Sequence, residues 1–467
     1  MGVPKNYRPV ALTSHLVKVF EKVIRAKLVN FLESNSAMNK NQHGFRSGRS
    51  CLSQLLEHHE QIVKGLEAGG NVDVIYLDFA KAFDKVDFSV LLKKLDKLGV
   101  RGKVGRWIKS FLTDRTQRVV VNGVKSKSTA VRSGVPQGSV LGPVLFLVLI
   151  SDIDSDILEA FVSSFADDTR VGKIIRDEDD CKILQDVLEK IYEWAEVNNM
   201  LFNSDKFECL RYGTREDLKA LPYKANNGQQ ISEKESLRDL GVTVDSDGSF
   251  ASHIDKIVIK SRQIVAWVLR TFTSRSAETL SVLWKSLILP HLDYCCQLWC
   301  PRKAGKIQKL ESVQQAFTRR IHGMTEINYW ERLKVLKMYS LERRRERYIV
   351  MYTWKMIENL VPNVGIETKY NNRLGRMCKL PQLNCRGNTR AKGMRESSIR
   401  TYGAELFNAL PKHLRNITNC DLNHFKRQLD GWLSLVPDEP LVPGYTSYRR
   451  ADSNSITDMA KFVAKFV

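Results

Sequence analysis

The sequence predicts an α+β protein whose front half carries a short sheet and whose back half is mostly helical and basic. Three observations predict it. VDVIYLDF (72–79) is an apolar run of strand length, suited to burial on both faces. FVSSFADDTRVGK (161–173) reads as two short strands that meet at a pair of acids. From about Ile254 to Pro362 apolar residues recur almost throughout at helical spacing.

Each element follows in order. HLVKVFEKVIRAKLVNFL (15–32) spaces Leu16, Val19, Phe20, Val23, Ile24 and Leu28 as the apolar face of a helix. A second helix is expected from Cys51 to Leu66, after the Gly- and Arg-rich loop QHGFRSGRS (42–50). FSVLLKKLDKLG (88–99) is a helix closed by Gly99, and RVVVNGVKSKSTAVRSG (118–134) places Asn122-Gly123 between β-branched runs, a strong hairpin signal. A helix should follow PQG over 138–150 and another fill 178–199, with short strands at 208–213 and 237–245. A loop-rich basic stretch (362–395) precedes a helical patch at 398–434.

Composition narrows the function. The net charge is +21, and residues 302–432 hold 27 Lys or Arg against 11 Asp or Glu, so that span carries +16 of it. Such a footprint suits nucleic acid or an anionic membrane, and the interleaved aromatics Trp330, Tyr339, Tyr348, Tyr352 and Trp354 favour nucleic acid. No apolar run reaches the length of a membrane span; VLGPVLFLVLI (140–150) is better suited to a buried helix, so no membrane partner is expected. MGVPKNYRPVALTS lacks the apolar run of a secretory leader, and Asn6 departs from a myristoylation pattern. An intracellular location is therefore expected. The nine cysteines read as reduced thiols, since Cys295, Cys296 and Cys300 lack a second pair at zinc spacing and Cys378, Cys385, His413 and Cys420 are irregular.

Adjacent acids at the end of an apolar run require a reason, because like charges repel and Asp disfavours strands. A third carboxylate, Asp78, ends the strand 72–79. If the Asp167–Asp168 hairpin lies beside that strand, three acids converge, and hard oxygen donors suit Mg²⁺ or Mn²⁺. Two such ions about 3.5–4 Å apart activate an attacking 3′-oxygen and stabilise leaving pyrophosphate, which is nucleotidyl transfer.

The ordered set DFAKAFD, SGVPQGSVLGPVLF, FADDT, FNSDKFECL and LRDLGVTV closely resembles the polymerase motifs of reverse transcriptases. With NYRPVALTS (6–14), QHGFRSGRS and LWKSLILPHLDYCCQLWCP (283–301), it is similar to the non-LTR, LINE-type branch, jockey-like in particular. The resemblance implies a right-hand fold, with fingers and palm over 1–250, a helical thumb over 251–360, and a basic, nucleic-acid-binding region over 361–467. It implies an RNA-directed DNA polymerase that uses two Mg²⁺ or Mn²⁺ ions, an RNA template, a DNA primer, the RNA–DNA duplex and deoxynucleoside triphosphates. It makes Asp78 and Asp167 the main metal ligands, with Asp168 adjacent and the Phe79 carbonyl as an extra ligand. Phe83 becomes a steric gate against a 2′-hydroxyl, and Gln137 and Gly138 contacts of the incoming nucleotide. Lys206 becomes a general acid toward pyrophosphate, with an exposed lysine as the plain alternative. Arg8 and Arg46 become phosphate or template contacts of the fingers, with Arg49 as a third.

The sequence opens at NYRPV, where that branch carries more finger sequence and basic residues, so short fingers and reliance on a separate endonuclease are expected. Phe207 stands where Thr often follows the lysine. A truncated or domesticated RNA-binding relative without efficient synthesis is the alternative function. An RNA-dependent RNA polymerase is disfavoured by Phe83 and FADD, and an intron maturase by LWKSLILPHLDYC. RRRER (343–347) only weakly resembles an import patch, since charge runs are usually solvated helix faces.

Overall fold

A computed structural model describes residues 10–215, 221–368, 370–371, 376–377, 379–385, 387–440 and 453–463. Its contacts divide the chain into two units, Met1–Gln54 with Gly70–Lys234, and Leu55–Gly69 with Glu235–Val467.

In the first unit, α1 (His15–Ser34) and the start of α2 (Cys51–Glu67) precede β1 (Asn71–Leu77), α3 (Phe88–Lys97) and α4 (Gly102–Leu112). Asp87 caps α3 by accepting from the amides of Ser89 and Val90. The expected hairpin is a nested pair, β2 (Thr116–Gln117) with β5 (Thr129–Ala130) and β3 (Val120–Val121) with β4 (Val124–Lys125). Asn122 and Gly123 both have positive φ (49° and 81°), the geometry of a type I′ turn. α5 (Gly142–Leu149) buries almost its whole length, as its apolar run requires. β6 (Phe161–Phe165), β7 (Asp168–Ile175), α6 (Glu178–Val197), β8 (Glu208–Tyr212) and β9 (Ser232–Lys234) follow.

The sheet order is β6-β7-β1-β8-β9. β1 lies antiparallel between β7 and β8, while β9 adds parallel to β8. β1 is therefore central and buried along its length, as its apolar run predicts. Ile75 and Leu77 of β1, Val171 and Ile175 of β7, Phe146 of α5 and Leu184 and Leu188 of α6 share one core.

α1 departs from its predicted facing. Leu16, Val19, Phe20 and Val23 are 83, 60, 55 and 60% exposed, whereas Glu21, Leu28 and Leu32 are buried. The reason is Glu21, whose Oε2 accepts from the amides of Val140 (2.7 Å) and Leu141 (2.8 Å) just before α5. A carboxylate serving two otherwise orphaned donors turns the helix away from its most apolar stripe.

In the second unit, β10 (Ser236–Asp239) and β11 (Val242–Asp245) form a hairpin across Leu240–Gly241. The single strand expected over 237–245 is thus two. The Tyr294 hydroxyl donates to the Leu240 carbonyl at 2.8 Å and fixes that turn. Helices dominate from here. α7 (Ala251–Thr271), α8 (Ala277–Leu283), α9 (Leu289–Asp293), α10 (Cys296–Trp299), α11 (Ala304–Thr318), α12 (Tyr329–Leu336) and α13 (Leu341–Ile357) come first. After a short hairpin (Tyr370–Asn371 with Arg376–Met377) come α14 (Thr389–Ser397), α15 (Ala404–Ala409), α16 (Lys412–Arg415), α17 (Leu422–Leu433) and α18 (Ile456–Val463).

The RRRER run is not a solvated face. Arg343, Arg345 and Arg347 are 0, 1 and 7% exposed. Arg343 donates to the carbonyls of Val436, Pro437 and Asn454, and Arg347 pairs with Asp430 at 2.5 and 2.8 Å. Glu346 accepts from the Tyr402 and Ser455 hydroxyls and, at 2.7 Å, from the Ile456 amide. Part of the basic charge that marks this region in the sequence is thus consumed inside the unit.

Cys295, Cys296 and Cys300 are buried free thiols, and burial pushes the Cys300 thiol up to about 12. That is the inert behaviour expected of thiols in the core. No helix among the described residues is long and apolar enough to cross a membrane.

Two buried histidines give this unit a pH dependence. Burial lowers His59 and His253 from 6.5 to about 4 each, with Arg395 adding to the effect on His59. The unfolded chain then binds these protons first, so stability is full above pH 6.5 and falls as pH drops toward 4. Each histidine contributes a loss of up to about 3 kcal/mol. The His253 ring lies 5.3 Å from that of Trp299. Urea midpoints followed by tryptophan fluorescence should fall across that window, and His253→Gln should flatten the fall; a flat wild-type profile would exclude it.

Candidate active site

β1 ends at Leu77 because the next residue is charged and the chain is then clasped from one side. Ala80 donates its amide to the Leu201 carbonyl (2.7 Å), Asn203 donates to the Asp78 carbonyl (2.8 Å), and Phe79 bridges to Phe202. The Phe79 ring is buried and stacks on Phe202 with centroids 4.4 Å apart. This clasp delivers the loop bearing Lys206, whose Nζ lies 2.9 Å from Asp78 Oδ2. The Lys206 side chain is 63% exposed and that of Asp78 32%, so the pair is open to water and ligands.

The other two acids arrive on the β6–β7 hairpin. Phe165 pairs with Asp168 at its closed end, which leaves Ala166 and Asp167 as a two-residue turn. Ala166 adopts φ 54°, left-handed and unusual for a residue with a Cβ. In the β1–β7 ladder the last registered pair is Leu77 with Thr169, so Asp78 and Asp168 stand one step beyond it on neighbouring strands. The structure therefore brings Asp78 and the acid pair to the same end of the sheet.

Among the described residues no three His, Cys, Asp or Glu side chains already form a cage for a metal ion. The donor chemistry nonetheless fits a hard divalent cation, being carboxylate oxygen only and partly open at Asp78. Mg²⁺ or Mn²⁺ would be held by Asp78 with Asp167 and Asp168.

Phe83 sits just beyond, in the short 3₁₀ turn Ala82–Asp84. Its ring is partly buried, stacked on Phe146 (4.5 Å) and edge-on to Phe45 (6.0 Å), so packing fixes its orientation. Gln137 donates from Nε2 to Asp84 Oδ1 (2.8 Å), and its carbonyl accepts from the Ala11 amide (2.7 Å). Gly138 has φ +99°, and a Cβ there would come 3.3 Å from the Ala11 carbonyl oxygen, so the position favours glycine on both counts.

Arg46 is placed differently from the sequence expectation. Its guanidinium is bidentate on Glu33 (3.0 and 2.7 Å) and donates to the Asn39 carbonyl (2.5 Å), with the side chain 9% exposed. Contact with a phosphate would require breaking that pair. Arg49 donates to the Lys40 carbonyl (2.7 Å) and lies 3.1 Å from His43 Nε2. Arg8 lies outside the described residues. Sequence reasoning missed Gln42 and Gly44 in the same motif, and Glu21 on α1. For the first two the available signal was QHG, a polar side chain beside a residue without a Cβ; Glu21 had only its place within an apolar run.

A family model described as reverse transcriptase (RNA-dependent DNA polymerase) matches residues 2–244. The RNA-directed DNA polymerase from mobile element jockey of Drosophila melanogaster is 31% identical over 334 residues, covering 68% of this chain and 36% of its own length. The probable RNA-directed DNA polymerase from transposon X-element of the same organism is 28% identical over 328 residues, with the same shares. The chain thus spans about a third of the length of these curated relatives. Among solved structures, apo telomerase from Candida tropicalis aligns with a TM-score of 0.41 at 10% identity, covering 70% of this chain and 55% of that one. Over half of the present sequence falls within the matched family region, the three acids, the PQG turn and Phe83 included, and the chain belongs to the reverse transcriptase family.

Proposed function

We propose that this chain is an RNA-directed DNA polymerase of a non-LTR retrotransposon, adding deoxynucleotides to a primer 3′ end on an RNA template. The observation that carries the reading is the meeting of Asp78 with the Asp167–Asp168 hairpin at one end of the sheet, with Lys206 on Asp78. Bound there, two divalent cations would supply activation of the 3′-hydroxyl and neutralisation of charge on the phosphates. Asp78, Asp167 and Asp168 provide the oxygens that hold them.

Lys206 is tethered by Asp78 at 2.9 Å and can present its ammonium proton to the leaving pyrophosphate. Phe83, its ring held by stacking on Phe146, is the residue assigned to reject a ribose 2′-hydroxyl. Gln137 and Gly138 line the approach of the incoming nucleotide. Template RNA, DNA primer and their duplex are the partners, held mainly through phosphates and 2′-hydroxyls.

The test is primer extension by the purified chain on poly-rA/oligo-dT with Mg²⁺ or Mn²⁺, beside an Asp167→Asn, Asp168→Asn control. dTTP incorporation that vanishes in the control is the expected result. Salt-sensitive duplex binding without any incorporation would replace this reading with that of a binding protein. In the same assay Phe83→Val should raise incorporation of UTP relative to dTTP by on the order of tenfold or more, because a pocket loses its steric rejection. An unchanged ratio would remove Phe83 from the gate.

A further inference from the structure

The turn that carries Asp167 does not hold its shape alone. Ala166 is left-handed without being glycine, a conformation that costs about 1–2 kcal/mol. One buried side chain grips both of its main-chain groups. Gln42, 3% exposed, accepts from the Ala166 amide at Oε1 (2.7 Å) and donates from Nε2 to the Ala166 carbonyl (3.1 Å). The same Oε1 accepts from the Gly44 amide (2.7 Å), which fixes the carboxamide in turn.

The surrounding segment is built to deliver that carboxamide. Residues 41–43 run along β6, the edge strand of the sheet, with Ser164 donating to the Asn41 carbonyl (3.0 Å) and His43 donating to the Ser164 carbonyl (2.9 Å). Asn39 and Asn41 each donate to a different oxygen of Asp154 at 2.7 Å, and His43 Nδ1 lies 2.8 Å from Ser53 Oγ. A Cβ on Gly44 would sit 2.4 Å from the Ala166 nitrogen, so that residue is bare to let the two backbones touch. A segment pinned at Asp154 and at Ser53 thus presses one carboxamide onto the residue immediately before the acid pair.

We infer that Gln42 is a positioning residue for the metal-binding acids: it sets the peptide planes flanking Ala166 and thereby the direction in which Asp167 and Asp168 leave the turn. The inference rests on the polymerase reading only for its catalytic consequence. Its direct consequence is for the oxygens themselves, because both acids follow Ala166 in the chain and shift together if the turn relaxes. Loss of a group that orients metal ligands typically costs about 10–100-fold in metal affinity or activity.

The test compares the whole chain with Gln42→Leu, Gln42→Glu and Asn41→Ala, each well below its own unfolding midpoint. Free Mn²⁺ is measured by electron paramagnetic resonance, and dTTP incorporation on poly-rA/oligo-dT gives kcat and KM. Gln42→Leu should weaken Mn²⁺ binding about tenfold and lower kcat on the order of 10–100-fold, with the dTTP KM within about twofold. Gln42→Glu keeps the acceptor bonds but turns a carboxylate oxygen against the Ala166 carbonyl in place of the donor, so it too should weaken Mn²⁺ binding and lower kcat; it also carries the test alone if Gln42→Leu does not fold. Asn41→Ala removes one of the pins on Asp154 and keeps the Gln42 carboxamide, so its losses should be clearly smaller than those of Gln42→Leu. Wild-type Mn²⁺ affinity in both Gln42 variants would overturn the inference, as would equal losses in Asn41→Ala. If the wild type incorporates no dTTP the polymerase reading fails, while the Mn²⁺ affinities still decide the role of Gln42. A wild type that binds no Mn²⁺ overturns both.

Discussion

Asp78→Asn should leave the chain folded and able to bind an RNA–DNA duplex, yet lower dTTP incorporation on the order of 10³-fold. The substitution is isosteric and sits at the end of β1, where the backbone is held by the Asn203 amide on the Asp78 carbonyl and by the Phe79–Phe202 bridge. Neither contact uses the carboxylate, so the fold has little to lose. The chemistry loses a carboxylate that stands at the hairpin acids' end of the sheet and carries Lys206 at 2.9 Å. A cation that supplies several kcal/mol of charge stabilisation, about 4 kcal/mol here, accounts for a factor of that size. Single-turnover primer extension at saturating duplex measures it, with thermal unfolding as the control. A loss below tenfold would mean that Asp78 does not hold the reacting centre.

Arg395→Met should destabilise the second unit by about 3–5 kcal/mol without changing the salt dependence of duplex binding. Arg395 belongs to the basic stretch that suggests a nucleic-acid surface, but its side chain is 2% exposed. It reaches Glu60 at 2.6 Å and grips Glu67 at 2.7 and 2.9 Å, while Arg400 takes the other oxygen of Glu60 at 3.0 Å. Removing the guanidinium leaves Glu60 buried with half its counter-charge and Glu67 with none of this pairing, which is the costly way to break a buried ion network. Urea denaturation followed by tryptophan fluorescence should show the lost midpoint, and adding Glu67→Gln should restore part of it. If Arg395→Met instead left stability intact and reduced the number of ions released on binding, the residue would be a surface contact after all.

Most of the local structure was legible in the sequence because it rests on short-range chemistry. The apolar run 72–77 demanded a central strand and received one. Asn122-Gly123 demanded a turn with positive φ, and the helix expected over 178–199 is α6, from Glu178 to Val197. Where local reading failed, a distant group had changed the balance. The apolar stripe of α1 is exposed because Glu21 is needed by amides about 120 residues away. The strand 237–245 is broken because Leu240–Gly241 turns back on itself and is tied by Tyr294.

The sequence by itself marked Asp78, Asp167 and Asp168, their order, and the phenylalanine and PQG turn between them, since residue type and spacing are local properties. It could not tell Asp78 from Asp73 on the same strand by chemistry alone. The tertiary structure decided that, burying Asp73 against Tyr223 (2.7 Å) and Arg211 (3.5 Å), and leaving Asp78 at the open end of the sheet. It also decided that Arg46 serves Glu33, that the RRRER run is interior, and that Gln42 grips the turn before Asp167. Each of these depends on which segments meet after the chain has closed loops of tens to hundreds of residues. A hydrogen bond or ion pair across such a loop leaves no periodic mark in either partner's neighbourhood, so only the folded contacts reveal it.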